Sequence, residues 1–383
     1  MRPVNSLLIG AFALATGSAL CAGQGSEDIQ IHGFATQGFV VSNGNNYLGM
    51  GTRSGSPAWT EAAININDQV ENKLRVGVQI HYTRLGTFGG DNVSVDWALG
   101  DYRVKPWLGL RAGKVKIRWG LFNDTQDYDP GYLWALLPES IYGVDIRATN
   151  LSQLGAEVYG KTSLGRKRGR LSYSGYYGYY FFASDDGYMA LFNASGYTFP
   201  KPPGGKTPGF DLRWDTPLPG LQLGGSLMLY NADGSMTNGS YRMPVTFWPT
   251  YYAQWNIKKV FASAQYTKLV QYQTFSVTDA VPSTSGSDTR AWFVMGGYHF
   301  TDKFQAGAYY THDLQPSGGD DSNPANFYKD WVGSGRFDFN SNFYMKLEGH
   351  LMDGNLVGFY SFDNPNGFKP RTGLLVAKIG FTF

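Results

Sequence analysis

The last ten residues constrain this chain more than any other stretch. Counting back from the terminus, Phe383, Phe381, Ile379, Ala377 and Leu375 fall on one face of a strand, and Thr382, Gly380 and Lys378 on the other. This is a two-residue period with one oily face that runs to the end of the chain. A soluble β-sandwich rarely ends so, because nothing follows to cover the apolar face. A closed barrel in lipid can, since the bilayer covers its outer face and its first strand pairs with its last. No run near 18 apolar residues follows the leader segment, so no spanning helix is available.

At the other end, Met1-Arg2-Pro3 precedes the apolar run Leu7 to Ala15 and the small-residue stretch up to Gly23. That order is the signature of a cleaved export signal. Residues 1–22 are therefore expected to be removed and 23–383 to form one barrel domain. Leu20 stands where lipid attachment at Cys21 would need a small residue. Cys21 is the only cysteine and is expected to leave with the signal, so no disulfide, thiolate nucleophile or cysteine metal site is expected. A net charge of +2 gives no electrostatic case for nucleic acid. The chain is instead rich in glycine (50), tyrosine (26) and phenylalanine (25), with only 16% charged residues, as an exported barrel would be.

Alternating segments predict sixteen strands, near 31–41, 58–67, 73–84, 93–103, 107–118, 150–161, 170–180, 209–216, 221–230, 246–257, 260–271, 290–300, 304–313, 330–339, 343–353 and 372–383. Each is about the length that crosses the hydrocarbon layer at a tilt of roughly 45°. Short connections such as 68–72, 258–259 and 301–303 alternate with longer ones at 42–57, 85–92, 119–149, 181–208, 231–245, 272–289, 314–329 and 354–371. Loops sorted by length in this way mark a membrane barrel, with both termini on the short-turn, periplasmic side. Phe343, Met345, Leu347 and Leu351 are expected to face lipid, against Tyr344, Lys346, Glu348 and His350. Trp107, Trp119, Tyr176, Tyr177, Tyr179, Tyr180, Trp331 and Phe383 are expected to form the interfacial girdles.

The fold class expected is thus all-β, a transmembrane antiparallel β-barrel of sixteen strands with long extracellular loops, to which the resemblance that follows adds an inward-folded third loop. It resembles the Gram-negative outer-membrane porins, and Ile31 to Phe39, Asp96 to Arg103 and Trp107 to Lys114 resemble segments of porin-like barrels related to the phosphate-selective group. The ending in Ile379, Phe381 and Phe383 resembles the signal read by the barrel-insertion machinery. The resemblance implies a passive diffusion channel for small hydrophilic solutes and ions, embedded among outer-membrane lipids and often a homotrimer, with no cofactor and no enzymatic activity.

Enzymatic motifs are absent: there is no Gly-x-Ser-x-Gly elbow and no His-Glu-x-x-His, and the five histidines lack ligand spacing. Gly205-Lys206-Thr207 imitates a phosphate loop but reads as a proline-rich loop tip, and Asp185-Asp186 and Asp320-Asp321 read as solvated acids. The informative polar residues belong to the pore. Lys114, Lys116 and Arg118 share a face opposite Val115, Ile117 and Trp119, and Arg75 joins Gln79 and His81 on the third strand. Cations on the lipid face would cost a few kcal/mol each near the midplane, so these point inward. They lead into a segment carrying Asp124, Asp127, Asp129, Glu139, Asp145 and Arg147, with a helical turn expected near 132–137. If the segment folds inward, cations and anions face each other across the narrowest point and set up a transverse field. The competing readings are a channel selective for an anion such as phosphate or a carboxylate, and a structural or adhesive barrel. Glu61, Asp96, Glu157, Asp211, Asp215, Asp338 and Glu348 also face the lumen by parity, which leaves the sign of selectivity open.

Overall fold

The computed structural model describes residues 29–316 and 322–383, so the expected signal segment 1–22 and the Asp320-Asp321 pair lie outside the described residues. The strands are β1 (Gln30–Ser42), β2 (Ser56–Glu71), β3 (Leu74–Leu85), β4 (Phe88–Lys105), β5 (Leu108–Lys116), β6 (Ser152–Ser163) and β7 (Arg170–Phe181). Next comes β8, in two collinear pieces (Gly204–Lys206 and Gly209–Asp215), and then β9 (Leu221–Met236), β10 (Gly239–Ile257), β11 (Val260–Val277) and β12 (Ser283–His299). The last four are β13 (Phe304–Leu314), β14 (Phe327–Asp338), β15 (Phe343–Gly354) and β16 (Arg371–Thr382). Both pieces of β8 pair with β7 and β9, so the break at Thr207-Pro208 leaves one stave and the wall has sixteen. Each strand pairs antiparallel with its chain neighbours, and β1 closes on β16 from Phe34↔Thr382 to Ser42↔Leu374.

Alternation sorts the side chains as a lipid-facing barrel requires. On β15, Phe343, Leu347 and Leu351 are exposed, the last at 71%, while Tyr344, Lys346, Glu348 and His350 are buried. Leu375 and Ile379 are likewise exposed on β16, as is Phe383 just after it, and Lys378 is buried. An oily outside around a polar inside inverts the order of a water-soluble barrel.

Three expected loops prove to be strand. The β3–β4, β9–β10 and β11–β12 hairpins continue the ladder through most of 85–92, 231–245 and 272–289, leaving turns at 86–87, 237–238 and 278–282. Polar residues such as Asp233, Ser235 and Ser276 hid these extensions from a search for apolar alternation. Gly204–Lys206 is also strand and not a loop tip. There the wall is tight: a Cβ on Gly205 would lie 1.9 Å from the carbonyl oxygen of Asn231. Trp119, Tyr176 and Tyr180 are buried inside the barrel and not in a girdle, whereas Trp107, Tyr177, Tyr179 and Trp331 are exposed.

Candidate functional site: the lumen and its inserted segment

After Lys116 the chain leaves the wall and does not return to it until Ser152. The intervening residues touch inward-facing side chains from many strands, which places them within the barrel. Two buried aromatic and aliphatic clusters hold them, one uniting Trp119, Leu133, Trp134 and Tyr142 with Trp248, Phe293 and Tyr309 of the wall. Leu136 and Ala135 join the second, around Tyr47, Trp59 and Tyr328. On β13, Gly307 makes room for the insertion, since a Cβ there would come within 2.9 Å of Leu133.

The expected helical turn near 132–137 does not form. Short 3₁₀ turns stand instead at Asp129–Gly131 and Val144–Ile146, and Tyr132 is extended. The wall satisfies the backbone groups that a helix would have paired internally. Glu348 accepts from the N–H groups of Ala135 and Leu136 at 2.9 and 2.8 Å. Lys346 Nζ donates to the Trp134 carbonyl at 2.9 Å, and the Tyr309 hydroxyl to that of Leu136 at 3.2 Å.

The acids of the segment meet the wall cations in direct contact and not across an open gap. Asp129 is the hub: its two carboxylate oxygens lie 2.7 Å from Lys378 Nζ and 3.0 Å from Lys346 Nζ, and the Tyr344 hydroxyl donates to it at 2.7 Å. Lys378 also reaches Glu61 at 2.6 Å. Asp127 pairs with Lys116 at 2.7 Å, and Asp124 lies 3.3 Å from Arg118 and 3.4 Å from Arg213. Arg147 pairs with Asp96 on β4 at 2.7 Å. A buried ion pair is stabilising only when geometry and extra hydrogen bonds offset desolvation, and these carboxylates receive both. The lysines on either side hold the Asp129 carboxyl below the usual carboxylate range against the opposing pull of burial.

The remaining expected site residues lie elsewhere. Arg75 is half-exposed beside Asp101, 4.0 Å away, at the short-turn end and clear of the inserted segment. Lys114 donates to the Val95 carbonyl. Glu139 accepts from the Val144 N–H at 3.1 Å and Asp145 from the Tyr360 hydroxyl; neither is paired with a lysine or arginine among the described residues. Burial raises both carboxyls above their ordinary values.

Strict parity fails on β5. Gly113 takes φ +126°, a conformation that favours glycine, and Val115, Ile117 and Trp119 are buried instead of facing lipid. Before Gly113, Arg111 bridges Asp101 at 3.0 Å and Glu157 at 2.9 Å. Arg213, Lys346, Lys378 and Arg336 also belong to the polar lumen. Alternation carried the signal for each, since they share faces with Asp211, Glu348, Gly380 and Asp338.

No family model matches the sequence, and no curated protein matches it. Solved structures do. A Salmonella typhi OmpF, in complex with daunomycin, aligns over 93% of this chain and 97% of its own, with TM-score 0.58 and 13% identity. The anion-selective porin of Comamonas acidovorans aligns over 93% and 99%, with TM-score 0.53 and 9% identity. The in-vitro folded trimer form of OmpT, an outer-membrane protein of Vibrio cholerae, aligns over 93% and 99%, with TM-score 0.56 and 10% identity. The chain has the porin fold. At such identities the likeness extends to the fold alone, and the charged lumen described above is this chain's own.

Proposed function

We propose that the protein is an outer-membrane porin through which small hydrophilic solutes and ions diffuse down their gradients. The observation that carries this reading is a closed barrel with an apolar outside, a charged inside and one segment tied across the interior by Asp124, Asp127 and Asp129. Such a segment sets the bore, and the charges beside it bias which ions pass. Because Lys116, Arg118, Arg213, Lys346 and Lys378 sit against acids, the net field at the narrow zone is small, and a weak ion preference follows. The trimer form of the Vibrio cholerae protein supports a homotrimer as the working assembly. Export on the 1–22 signal and insertion through the Phe383 strand complete the reading.

A second reading, an anion-selective channel, draws on the short-turn mouth. Lys73, Arg75, Arg103 and Arg111 surround a recess of about 440 Å³ there, with Asp101 as its one acid. Single-channel conductance, with the reversal potential measured across a salt gradient, tests both readings. Stable conductance with a reversal potential near zero supports the general porin, and a strongly anionic potential with saturable block by phosphate supports the second. Absence of conductance from folded protein would overturn both and leave the structural or adhesive barrel.

A further inference from the structure

On the long-loop side of the inserted segment, the interior changes character. A cavity of about 470 Å³ opens between β7–β12 and the helix Gly187–Ala194 of the loop after β7, and no acidic or basic residue lines it. The pairs between the inserted segment and the wall are charged, from Asp124 to Asp129, so an uncharged chamber beside them is a change of environment. Its volume lies in the range of small-molecule sites, which are mostly apolar with a few placed polar groups.

The walls are flexible thioether and flat ring. Met228 and Met243 stand with Trp248, Tyr230, Tyr241 and Phe275. The rings brace one another: Tyr197 stacks on Phe275 at 3.9 Å between centroids, and Phe192 meets Phe275 at 5.6 Å edge to face. Such bracing stiffens an aromatic-lined space, because its rings already partner one another.

The polar groups are neutral and in part unused. The Tyr180 hydroxyl, the Trp248 indole N–H and the Thr207 hydroxyl are buried without a hydrogen-bond partner among the described residues. A buried polar atom left unpaired is costly and is rare in a folded protein. Gln271 and Gln273 add amides, engaged on one side by the Tyr230 and Tyr241 hydroxyls at 2.7 and 3.3 Å. An ion entering would lose its hydration with no countercharge to replace it. A sugar would leave most of its hydroxyls against methionine and phenylalanine.

We propose that this chamber is a binding site for an uncharged, aromatic small molecule carrying one or two hydrogen-bonding groups, which rests there before passing the inserted segment. The proposal deepens the porin reading by naming a solute class for it, and the passage step rests on that reading. The ring lies among Tyr230, Tyr241, Phe275 and the two methionines, and its polar group pairs with Tyr180, Trp248 or Thr207.

The probe is 4-nitrobenzyl alcohol, with 4-nitrobenzoate as the charged counterpart and glucose as the sugar. Two measurements are made on the full folded protein: tryptophan fluorescence quenching in detergent, and block of ion current in planar bilayers. Saturable quenching and block by the alcohol are expected, with affinity at least roughly tenfold above the other two probes. Ser285→Trp fills the chamber from an exposed position without removing a packed side chain and should abolish the saturable component. Tyr180→Phe keeps the ring, removes the unpaired hydroxyl, and should weaken the alcohol while leaving toluene unchanged. Quenching that is unsaturable, or unaffected by Ser285→Trp, overturns the site, as does preference for benzoate or glucose. Conductance without specific binding sinks this proposal and leaves the porin reading intact. Specific binding without conductance does the reverse.

Discussion

Asp129 and Lys378 meet at 2.7 Å across 249 positions of sequence, joining the inserted segment to the strand that closes the barrel. The contact exists only if β16 has paired with β1 and residues 117–151 have entered the lumen. Closure of the wall and placement of the segment are therefore read out by one ion pair.

Replacing Asp129 with Asn leaves two fully buried lysines, Lys378 with Glu61 as its remaining carboxylate and Lys346 with the Asp129 and Trp134 carbonyls. Breaking a buried pair by removing one partner costs about 3–5 kcal/mol. We expect a lower temperature for heat-induced loss of the compact band on gels and noisier, larger single-channel currents. A variant with unchanged currents would show that this pair does not hold the segment.

Glu348→Gln keeps the shape of the acceptor but weakens two hydrogen bonds to the Ala135 and Leu136 N–H groups, and Glu348→Ala removes them. Hydrogen bonds to charged groups contribute about 1.5–3 kcal/mol each. Open-channel noise should rise in the order wild type, Gln, Ala. Equal noise in all three would place the anchoring of residues 133–137 in apolar packing alone.

Charge at the segment should set ion preference. Changing Lys114, Lys116 and Arg118 together to Gln should move the reversal potential toward cations, and changing Asp124, Asp127 and Asp129 to Asn should move it toward anions. Because most of these groups are paired, each set also strands its partners, so the shifts should exceed those of single changes. Reversal potentials that stay put for both sets would put the conducting path away from these residues.

Acid should tighten the packing of the long-loop side. Burial pushes the Asp186 carboxyl, which caps the helix Gly187–Ala194, up to about 7. Asp145, beside Tyr360 and Thr149-linked Asp186, is raised by burial as well. A carboxyl whose folded value lies above its unfolded one binds its proton more tightly when folded. Its contribution is fully present below the unfolded value and is lost as pH rises through the folded one. Proteolysis within residues 182–203 should therefore accelerate between about pH 4 and pH 7. Asp186→Asn, which keeps the cap, should flatten that rise; a rise as steep as in wild type assigns it to another group.

Assembly and orientation can be checked on cells. Deleting Phe383 should leave the protein in the periplasm or degraded, and normal membrane insertion of that variant would remove Phe383 from the insertion signal. In a Cys21→Ser background, cysteines at Lys201 and Asn366 should react with an impermeant maleimide, and those at Asn72 and Asp302 should not. The reverse pattern would invert the barrel in the membrane.

Alternation was enough to read the wall from the sequence. A side chain on a strand takes one of two faces, so Phe343, Leu347 and Leu351 against Lys346, Glu348 and His350 told lipid from lumen without coordinates. The same rule misplaced Val115, Ile117 and Trp119, because Gly113 breaks the pleat and the chain leaves the sheet three residues later. It also stopped the hairpins at 231–245 and 272–289 too early, since strands that rise above the bilayer no longer need an oily face. Local sequence named Asp129 as a candidate and could not name Lys346 and Lys378 as its partners. Those contacts span more than 200 positions, and they arise only when closing the barrel brings β15 and β16 beside a segment that follows β5. The uncharged chamber was decided in the same way. Its rings come from four strands and the loop after β7, and only the closed wall brings Tyr230, Tyr241, Trp248 and Phe275 to those of residues 180–197.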